Sequence, residues 1–268
     1  MPKRLENKIA VVIGAGQSPG IGVGNGRATA TLFAREGATV LCVDHRLESA
    51  EETARRIRDE GGEAIGFEAD VTNESMLAAA IESTLARWGR IDILHYNVGV
   101  SVAGGDAAVT EITEAAFDRI MAINLRGAVM ACKHAIPPMR RQRSGVILNI
   151  ASVAAYENYP WVAYKASKAA MIEFTKQTAI QNAQYGVRAN VIVPGLMDTP
   201  MAVDTRARAW NRSREDVAAE RDKRVPLRNK MGTAWDAAYA ALFLASDEAG
   251  FITGVALPVD GGALCNIG

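Results

Sequence analysis

Cysteine is scarce in this chain, which has only Cys42, Cys132 and Cys265 among its 268 residues. No two of them form a C-x-x-C pair, which argues against a disulfide framework and against a cysteine-based structural zinc site. Histidine is equally rare, and the three histidines are far apart and lack the spacing of metal ligands. The sequence therefore predicts no metal site.

Net charge and long apolar runs are also missing. Lysine and arginine number 30 against 30 aspartates and glutamates, so the chain has no basic domain of the kind that binds nucleic acid. No uninterrupted apolar stretch approaches the ~20 residues that a membrane-spanning helix requires, and no apolar leader precedes the first strand pattern. From these absences we expect a cytoplasmic protein that has no nucleic-acid or membrane partner.

The chain does contain a regular alternation of strand and helix patterns. Short apolar runs such as residues 9–13 and 39–43 have the character of strands buried on both faces. Segments with helical periodicity, such as residues 48–60 and 164–185, separate such runs. This rhythm is typical of βαβ units. We expect an α/β protein with one domain over residues 1–268, a Rossmann fold whose doubly wound parallel β-sheet has helices on both faces and binds ligands at the carboxyl ends of its strands.

A glycine-rich segment, residues 14–26, lies between the first strand pattern and the first helix pattern. Glycines at such a turn let backbone N–H groups approach a pyrophosphate, and the amino end of the helix adds partial positive charge. Asp44 ends the second strand pattern, where an acid accepts hydrogen bonds from an adenosine ribose. The pattern predicts dinucleotide binding. Because the Asp44 carboxylate would repel a 2′-phosphate, NAD is favoured over NADP, while Arg46 leaves NADP open as the alternative.

Tyr164 and Lys168 lie four residues apart in a helical pattern and so share one helix face. An ammonium near a phenol stabilises the phenolate and lowers the tyrosine pKa from about 10, which yields a general base near neutral pH. Ser152 follows the preceding strand pattern and would present a hydroxyl to the same crevice. Tyrosine and lysine often fall four apart by chance, so the position of this pair after a strand is what favours a catalytic interpretation.

Together these motifs resemble the short-chain dehydrogenase/reductase family, of the short single-domain kind, over essentially the whole chain. The matching positions are the glycine loop, Asp44, Asp70-Val71, Asn97-Val98-Gly99, Asn124, Ser152, Tyr164-x-x-x-Lys168, Pro194-Gly195 with Thr199, and Val259-Asp260-Gly261-Gly262. Each motif alone is common, whereas the ordered set is specific. The resemblance implies an oxidoreductase that interconverts a secondary alcohol and a ketone by hydride transfer with a nicotinamide cofactor.

The resemblance also implies roles for single residues. Tyr164 would be the general base and Ser152 would polarise the substrate oxygen. Lys168 would lower the tyrosine pKa and hold the nicotinamide ribose, and Asn124 would anchor a water molecule in the proton relay. The implied cofactor-binding residues are Gly14, Gly20, Ile21, Gly22, Gly26, Asp44, Asp70, Val71, Asn97, Gly99, Tyr164, Lys168, Pro194, Met197 and Thr199.

Four features depart from the family pattern. They are Ile13 in place of the usual threonine, Tyr96-Asn97-Val98-Gly99 in place of Asn-Asn-Ala-Gly, a spacing from Ser152 to Tyr164 one residue shorter than usual, and an elongated glycine loop. The longer loop is compatible with two registers, Gly16-x-x-x-Gly20-x-Gly22 and Gly20-x-x-x-Gly24-x-Gly26. The assignment of individual glycines therefore stays open.

Residues 201–230 are charged and weakly periodic, and they follow a strand end, which predicts a lid over the crevice. Trp210 in this segment, with Tyr159 and Trp161, favours a ring-containing or apolar substrate, although packing of the lid explains these aromatics equally well. Residues 204–230 hold nine basic side chains against five acidic ones. That excess would attract a carboxylate or a thioester carrier, but a solvated lid face is the favoured interpretation.

Other functions are compatible with parts of the sequence. An NADPH-dependent 3-oxoacyl-thioester reductase is the main alternative, which Asp44 disfavours. A non-catalytic cofactor-binding protein is a minor one, disfavoured by the presence of Ser152, Tyr164 and Lys168. A zinc-dependent alcohol dehydrogenase lacks its ligands, and a nucleotide-sugar epimerase lacks its C-terminal substrate domain. Residues 251–262 resemble the part of the family that packs between subunits, so we expect a homotetramer.

Overall fold

Nine strands are present in the computed structural model, which describes residues 3–265. They are β1 (Ile9–Ile13), β2 (Thr39–Asp44), β3 (Glu63–Glu68), β4 (Ile93–Tyr96), β5 (Gly145–Ile150), β6 (Val187–Pro194), β7 (Met197–Asp198), β8 (Gly232–Thr233) and β9 (Ala256–Val259). Seven of them form one parallel sheet in the order β3-β2-β1-β4-β5-β6-β9, and β7 pairs with β8 separately. The strand order reverses between β1 and β4, which defines the doubly wound Rossmann fold that the sequence predicts.

Helices cover both faces of this sheet. They are α1 (Asn25–Arg35), α2 (Leu47–Asp59), α3 (Glu74–Trp88), α4 (Glu114–Met121), α5 (Gly127–Gln142), α6 (Val162–Asn182), α7 (Thr205–Trp210), α8 (Arg214–Asp222) and α9 (Ala234–Ala245). In the part of the chain that the structure describes, none of them has both the length and the hydropathy to cross a membrane.

The residues of β1 show why the central strands are continuously apolar. Successive side chains of a strand point to opposite faces. Ala10 and Val12 therefore pack in the apolar cluster beneath α1 and α9, while Val11 and Ile13 pack in the cluster beneath α3, α5 and α6. Both clusters are buried, so no position of the strand can be polar, and the alternation typical of a half-exposed strand is absent.

Residues 114–133 have helical periodicity in the sequence but do not form one continuous α-helix in the structure. A π-helical turn, Ala122–Arg126, separates α4 from α5, and α5 continues to Gln142 past Pro137 and Pro138. Each proline removes one backbone donor. The helix nevertheless continues, because its face toward the sheet remains apolar and buried as far as Met139.

The segment expected to form a lid, residues 201–230, contains α7 and α8. These helices enclose a small apolar cluster of their own, formed by Val203, Ala207, Val217, Val225 and Met231. The charged sequence obscures this pattern because only one narrow face of α8 is apolar. The segment lies over the carboxyl end of the sheet, since its residues border the cleft described next.

Candidate active site

A cleft of about 970 Å³ opens at the carboxyl edge of the sheet, where β1, β2, β5 and β6 end. It brings together most of the residues singled out in the sequence. Those that line it are Gly14, Gly26, Asp44, Asp70, Val71, Asn97, Gly99, Ser152, Tyr164, Lys168, Pro194, Met197 and Thr199. Gly20, Ile21, Gly22 and Asn124 do not line it, whereas Gly16 and Gly24 do.

Neither of the two registers lines the cleft as a whole, because Gly16, Gly24 and Gly26 line it and Gly20, which both registers share, does not. Gly24 is the N-cap of α1, and Gly26 lies in the first turn of that helix. A Cβ on Gly26 would lie 1.9 Å from the carbonyl oxygen of Gly14, so only glycine lets the helix approach the strand end this closely. The Gly24-x-Gly26 pair is therefore the one beside the helix amino end, where backbone N–H groups bind anions.

Of the three loop residues that were expected to bind the cofactor but do not line the cleft, Gly20 and Ile21 contact the lid instead. The backbone N–H of Ile21 donates to the Asp204 carboxylate at 3.0 Å, and the Ile21 side chain is exposed. A Cβ on Gly20 would collide with the same carboxylate. The elongation of the loop thus places Gly20 and Ile21 against the lid, which the spacing of the glycines did not indicate, whereas a Cβ on Gly22 would meet nothing within 4 Å.

The Asp44 carboxylate lies against the glycine loop at one end of the cleft. One of its oxygens accepts a hydrogen bond from the backbone N–H of Arg46 at 3.1 Å and lies 3.0 Å from Nδ1 of His45. The other is 2.6 Å from where a Cβ of Gly16 would be. A carboxylate acceptor and close-approach glycines at one strand edge fit the adenosine half of a nicotinamide dinucleotide.

Tyr164 is at the other end of the cleft. Burial of its phenol, together with the neighbouring Tyr159, raises its pKa to about 12, while a hydrogen bond with Ser152 and the charges of Arg206 and Arg221 act to lower the pKa. The two tyrosine rings are tilted, with centres 5.5 Å apart. The phenol is therefore protonated at neutral pH and is poised as a proton donor.

Lys168 lies one helical turn after Tyr164. Its Nζ donates to the carbonyl oxygen of Ile150 at 2.8 Å and lies 5.7 Å from the centre of the Tyr164 ring. Burial lowers the pKa of this ammonium to about 8. The sequence led us to expect that Lys168 lowers the tyrosine pKa. In this structure the groups that lower that pKa are instead Ser152 and two lid arginines.

Asp106 fixes the start of the helix that carries Tyr164. Its carboxylate accepts the backbone N–H of Ala163 at 3.0 Å and that of Tyr164 at 2.9 Å, which caps α6 from a loop 58 residues earlier in the chain. Ser101 also contacts this carboxylate, at 3.4 Å. Sequence reasoning missed Asp106, because a cap contributed from a distant loop leaves no local motif.

Asn124 lies behind the wall of the cleft, in the π-helical turn. Its Oδ1 accepts the backbone N–H of Val100 at 2.8 Å, and its Nδ2 donates to the Val100 carbonyl and to the Ser167 hydroxyl, both at 3.0 Å. The side chain is wholly buried. It braces the chain just after Gly99, and its role in anchoring a water molecule stays a prediction.

The basic residues of the lid do not all face solvent, contrary to the favoured interpretation of their charge. Arg221 is exposed over only 9% of its surface and lines the cleft together with Arg206 and Arg224. The helical spacing of Val217 and Arg221, four residues apart, turns both toward the protein. A charge count over residues 204–230 could not reveal which arginines share that face.

Comparison with known proteins agrees with this geometry. A family model described as Enoyl-(Acyl carrier protein) reductase matches residues 14–263. The 2-(R)-hydroxypropyl-CoM dehydrogenase of Xanthobacter autotrophicus is 36% identical, over 95% of this chain and 98% of its own. The cis-4-hydroxycyclohexanecarboxylate dehydrogenase of Sinomonas cyclohexanicum is 35% identical, over 98% of each chain.

The solved structures agree as well. A Burkholderia xenovorans chain assigned to the short-chain dehydrogenases/reductases superposes with a TM-score of 0.90 at 39% identity, covering 99% of this chain and 100% of that one. The chain described here belongs to the short-chain dehydrogenase/reductase family. It is an oxidoreductase of that family, whose members use nicotinamide cofactors.

Proposed function

We propose that this protein is an NAD(H)-dependent oxidoreductase that interconverts a secondary alcohol and a ketone, with Tyr164 as the group that moves the proton. The observation that carries the proposal is the convergence of Ser152, Tyr164 and Lys168 in one cleft whose far end holds Asp44. The names of the relatives support a hydroxyl substrate, because both are dehydrogenases of hydroxylated compounds.

The preference for NAD rests on Asp44. Its carboxylate is largely enclosed, with a side chain 11% exposed, and it meets the loop that would receive the adenosine ribose. A ribose 2′-hydroxyl would donate to this carboxylate, whereas a 2′-phosphate would place like charges together. Arg46, whose guanidinium donates to the carbonyl of Gln17, is committed to the loop. A nicotinamide dinucleotide bound here would accept or supply the hydride.

The proton is donated and accepted by a side chain of the protein, the phenol of Tyr164. In ketone reduction, Tyr164 donates its phenol proton to the carbonyl oxygen, which its raised pKa of about 12 permits at neutral pH. In alcohol oxidation the phenolate form must accept the hydroxyl proton, and Ser152 and the nearby arginines favour that form. Ser152 orients the reacting oxygen by hydrogen bonding, and Lys168 holds the nicotinamide ribose.

We propose a ring-containing or apolar body for the substrate. Aromatic side chains surround the Tyr164 end of the cleft, where the Tyr159 and Trp161 rings meet edge to face with centres 5.4 Å apart. Trp210 of the lid borders the same space. The relative from Sinomonas cyclohexanicum, named for a hydroxylated cyclohexane, supports this choice.

The test is NADH formation by the purified protein with NAD and a panel of secondary alcohols, and the reverse reaction with the ketones. We expect activity with cyclic alcohols, lost in Tyr164→Phe and retained in Tyr156→Phe, which alters an exposed tyrosine outside the cleft lining. Activity confined to 3-oxoacyl thioesters with NADPH would replace this proposal with the reductase alternative. Cofactor binding without turnover of any substrate would favour the non-catalytic alternative.

A further inference from the structure

One face of the lid carries arginine side chains that line the cleft. Val217, Glu220, Arg221 and Arg224 recur at the spacing of neighbouring helical turns, and all four line the cleft. Val217 packs in the apolar cluster of the lid, so this face of α8 and of the turn after it is directed inward. Arg206 of α7 lines the same space.

Arg221 has no partner for its buried charge within residues 3–265. The residue is only 9% exposed. Its Nε is inaccessible to solvent and makes no hydrogen bond. Leaving a buried donor of a charged group unsatisfied costs free energy that native structures rarely accept without a function. An acceptor that enters the cleft beside Arg221 would offset this cost.

Two other arginines of the lid form ion pairs, so the lack of a partner is not general to this segment. Arg214 forms ion pairs with Asp198 and Asp204, and Arg212 holds Glu220 at 2.7 Å. These pairs hold the lid together and join it to Asp198 of β7. Arg221 lines the cleft and differs from them in having a buried Nε without an acceptor.

Two neighbouring arginines repel the charge of the Arg221 guanidinium, and a bound anion would relieve that repulsion. Burial, together with the charges of Arg206 and Arg224, lowers the pKa of its guanidinium to about 10. Tyr159 and Tyr164 act on the same guanidinium in the opposite direction, which places the cluster at the catalytic end of the cleft. An anion held there would be part of the substrate and not a phosphate of the dinucleotide at the Asp44 end.

Within residues 3–265, the glutamates that line the cleft form no ion pair with this cluster. Arg212 is the main cause of the lowered pKa of Glu220, and the charges of Arg224 and Arg221 add to it. In the described part of the chain, neither Glu157 nor Glu220 forms an ion pair with Arg221, and the Glu220 carboxylate is bound by Arg212. Arg206 donates to the carbonyl of Ala202 at 3.0 Å and approaches the Tyr159 hydroxyl at 3.5 Å. Both contacts are neutral, so neither of them compensates the charge.

We propose that the substrate carries an anionic oxyacid group, a carboxylate or a sulfonate, and that Arg221 binds it with help from Arg206 and Arg224. The inference rests on the proposed function, because the anion is the end of the alcohol or ketone remote from the reacting carbon. A planar guanidinium donates two parallel hydrogen bonds to such a group. The aromatic residues near Tyr164 then contact the apolar body between the two ends.

Ligand binding can be tested without turnover, because Trp161 and Trp210 line the cleft and report binding by fluorescence. The probes are cyclohexanecarboxylate, cyclohexanesulfonate and the neutral cyclohexanecarboxamide, titrated into the NAD-loaded protein. We expect at least one anion to bind about tenfold or more tightly than the amide, the difference typical of charge-assisted hydrogen bonds. The two anionic arms distinguish a carboxylate from a sulfonate.

The same titrations are repeated with Arg221→Met, Arg224→Met and the control Lys223→Met, which removes an exposed charge that does not line the cleft. Arg221→Met should abolish the preference for the anion, Arg224→Met should reduce it, and Lys223→Met should keep it. Arg224 is exposed, so the Arg224→Met variant should fold and still tests the inference if Arg221→Met does not fold. Equal binding of anion and amide, no binding of either anion, or a preference that survives both arginine variants would overturn the inference.

Turnover of cyclohexanone with NADH is measured separately on the unmodified protein. Turnover together with indifference to charge would leave the proposed function standing and remove the anion site. Anion-selective binding that depends on Arg221, without turnover of any ketone, would support the anion site while the proposed oxidoreductase activity fails.

Discussion

Asp44 is the residue on which the choice of cofactor depends. Its carboxylate touches the glycine loop and makes only local contacts, with His45 and with the backbone of Arg46. Replacing it by alanine removes both the acceptor for a ribose hydroxyl and the charge that opposes a 2′-phosphate. The fold should be unaffected, because the side chain belongs to neither apolar cluster of the sheet.

We therefore predict that Asp44→Ala lowers the ratio of kcat/KM for NAD to that for NADP by about tenfold or more, as expected for removing one charge–charge repulsion. Steady-state kinetics with both cofactors measures this ratio. Glu48→Ala, an exposed acid nearby on α2, is the control and should leave it unchanged. An unaltered ratio in Asp44→Ala would show that another group discriminates between the ribose 2′-hydroxyl of NAD and the 2′-phosphate of NADP.

Lys168 connects the candidate active site to stability. Its pKa falls from 10.5 to about 8 on burial, so between these values the unfolded chain binds more protons than the folded one. Stability contributed by this residue therefore rises as pH increases from about 8 to 10.5, and below pH 8 the fold bears the full cost of a buried ammonium.

For that reason we predict that Lys168→Met raises the free energy of unfolding at pH 7 by about 1 to 3 kcal/mol, after allowance for the lost hydrogen bond to Ile150, although activity is lost. The gain should shrink as pH rises toward 10. Urea unfolding at pH 7 and 9.5 measures both effects, with Lys176→Met, an exposed lysine of the same helix, as the control. A gain that does not depend on pH would contradict the assignment of the titration to Lys168.

At the level of elements, α6 depends on a loop for its amino end. The N-cap position is Trp161, which offers no side-chain acceptor, and Asp106 supplies both hydrogen bonds from a distance. The first turn of α6 carries Tyr164, so the cap also determines where the phenol lies in the cleft.

We predict that Asp106→Ala lowers the free energy of unfolding by about 1 to 2 kcal/mol, the usual cost of a lost cap, and lowers kcat by more than a change in stability explains. Urea unfolding and steady-state kinetics are measured together at a temperature where the variant is fully folded. Asp118→Ala, an exposed acid on α4, should change neither. Normal kcat in a destabilised Asp106→Ala would assign Asp106 to stability alone.

Elements with strong periodicity could be predicted from the sequence, and those without it could not. The strand patterns at residues 9–13 and 39–43 agree with β1 and β2 because both faces of these strands are buried and their residues are uniformly apolar. The two-residue strands β7 and β8 have no periodicity to detect. The extension of α5 past its prolines depends on burial against the sheet, which outweighs the local preference to end there.

At the scale of the whole molecule, β9 is the last strand at one edge of the sheet. Apolar side chains are exposed nearby in the chain, including Tyr239 and Phe243 of α9 and the fully exposed Phe251. We predict a homotetramer, and light scattering at micromolar concentration should give four times the 28.6 kDa mass of the chain. A monomeric mass would contradict this prediction.

The sequence by itself determined the alternation of strands and helices, the family and the side chains that meet at the carboxyl edge. The family follows from the resemblance of the ordered set of motifs. The other two properties follow from local periodicity and from the rule that parallel strands present their carboxyl ends together. Only the tertiary structure decided which glycines of the loop line the cleft, the capping of α6 by Asp106 and the burial of Arg221. Each of these depends on contact between segments far apart in the chain, so the decisive energies are burial and hydrogen bonding across the fold, which no local pattern encodes.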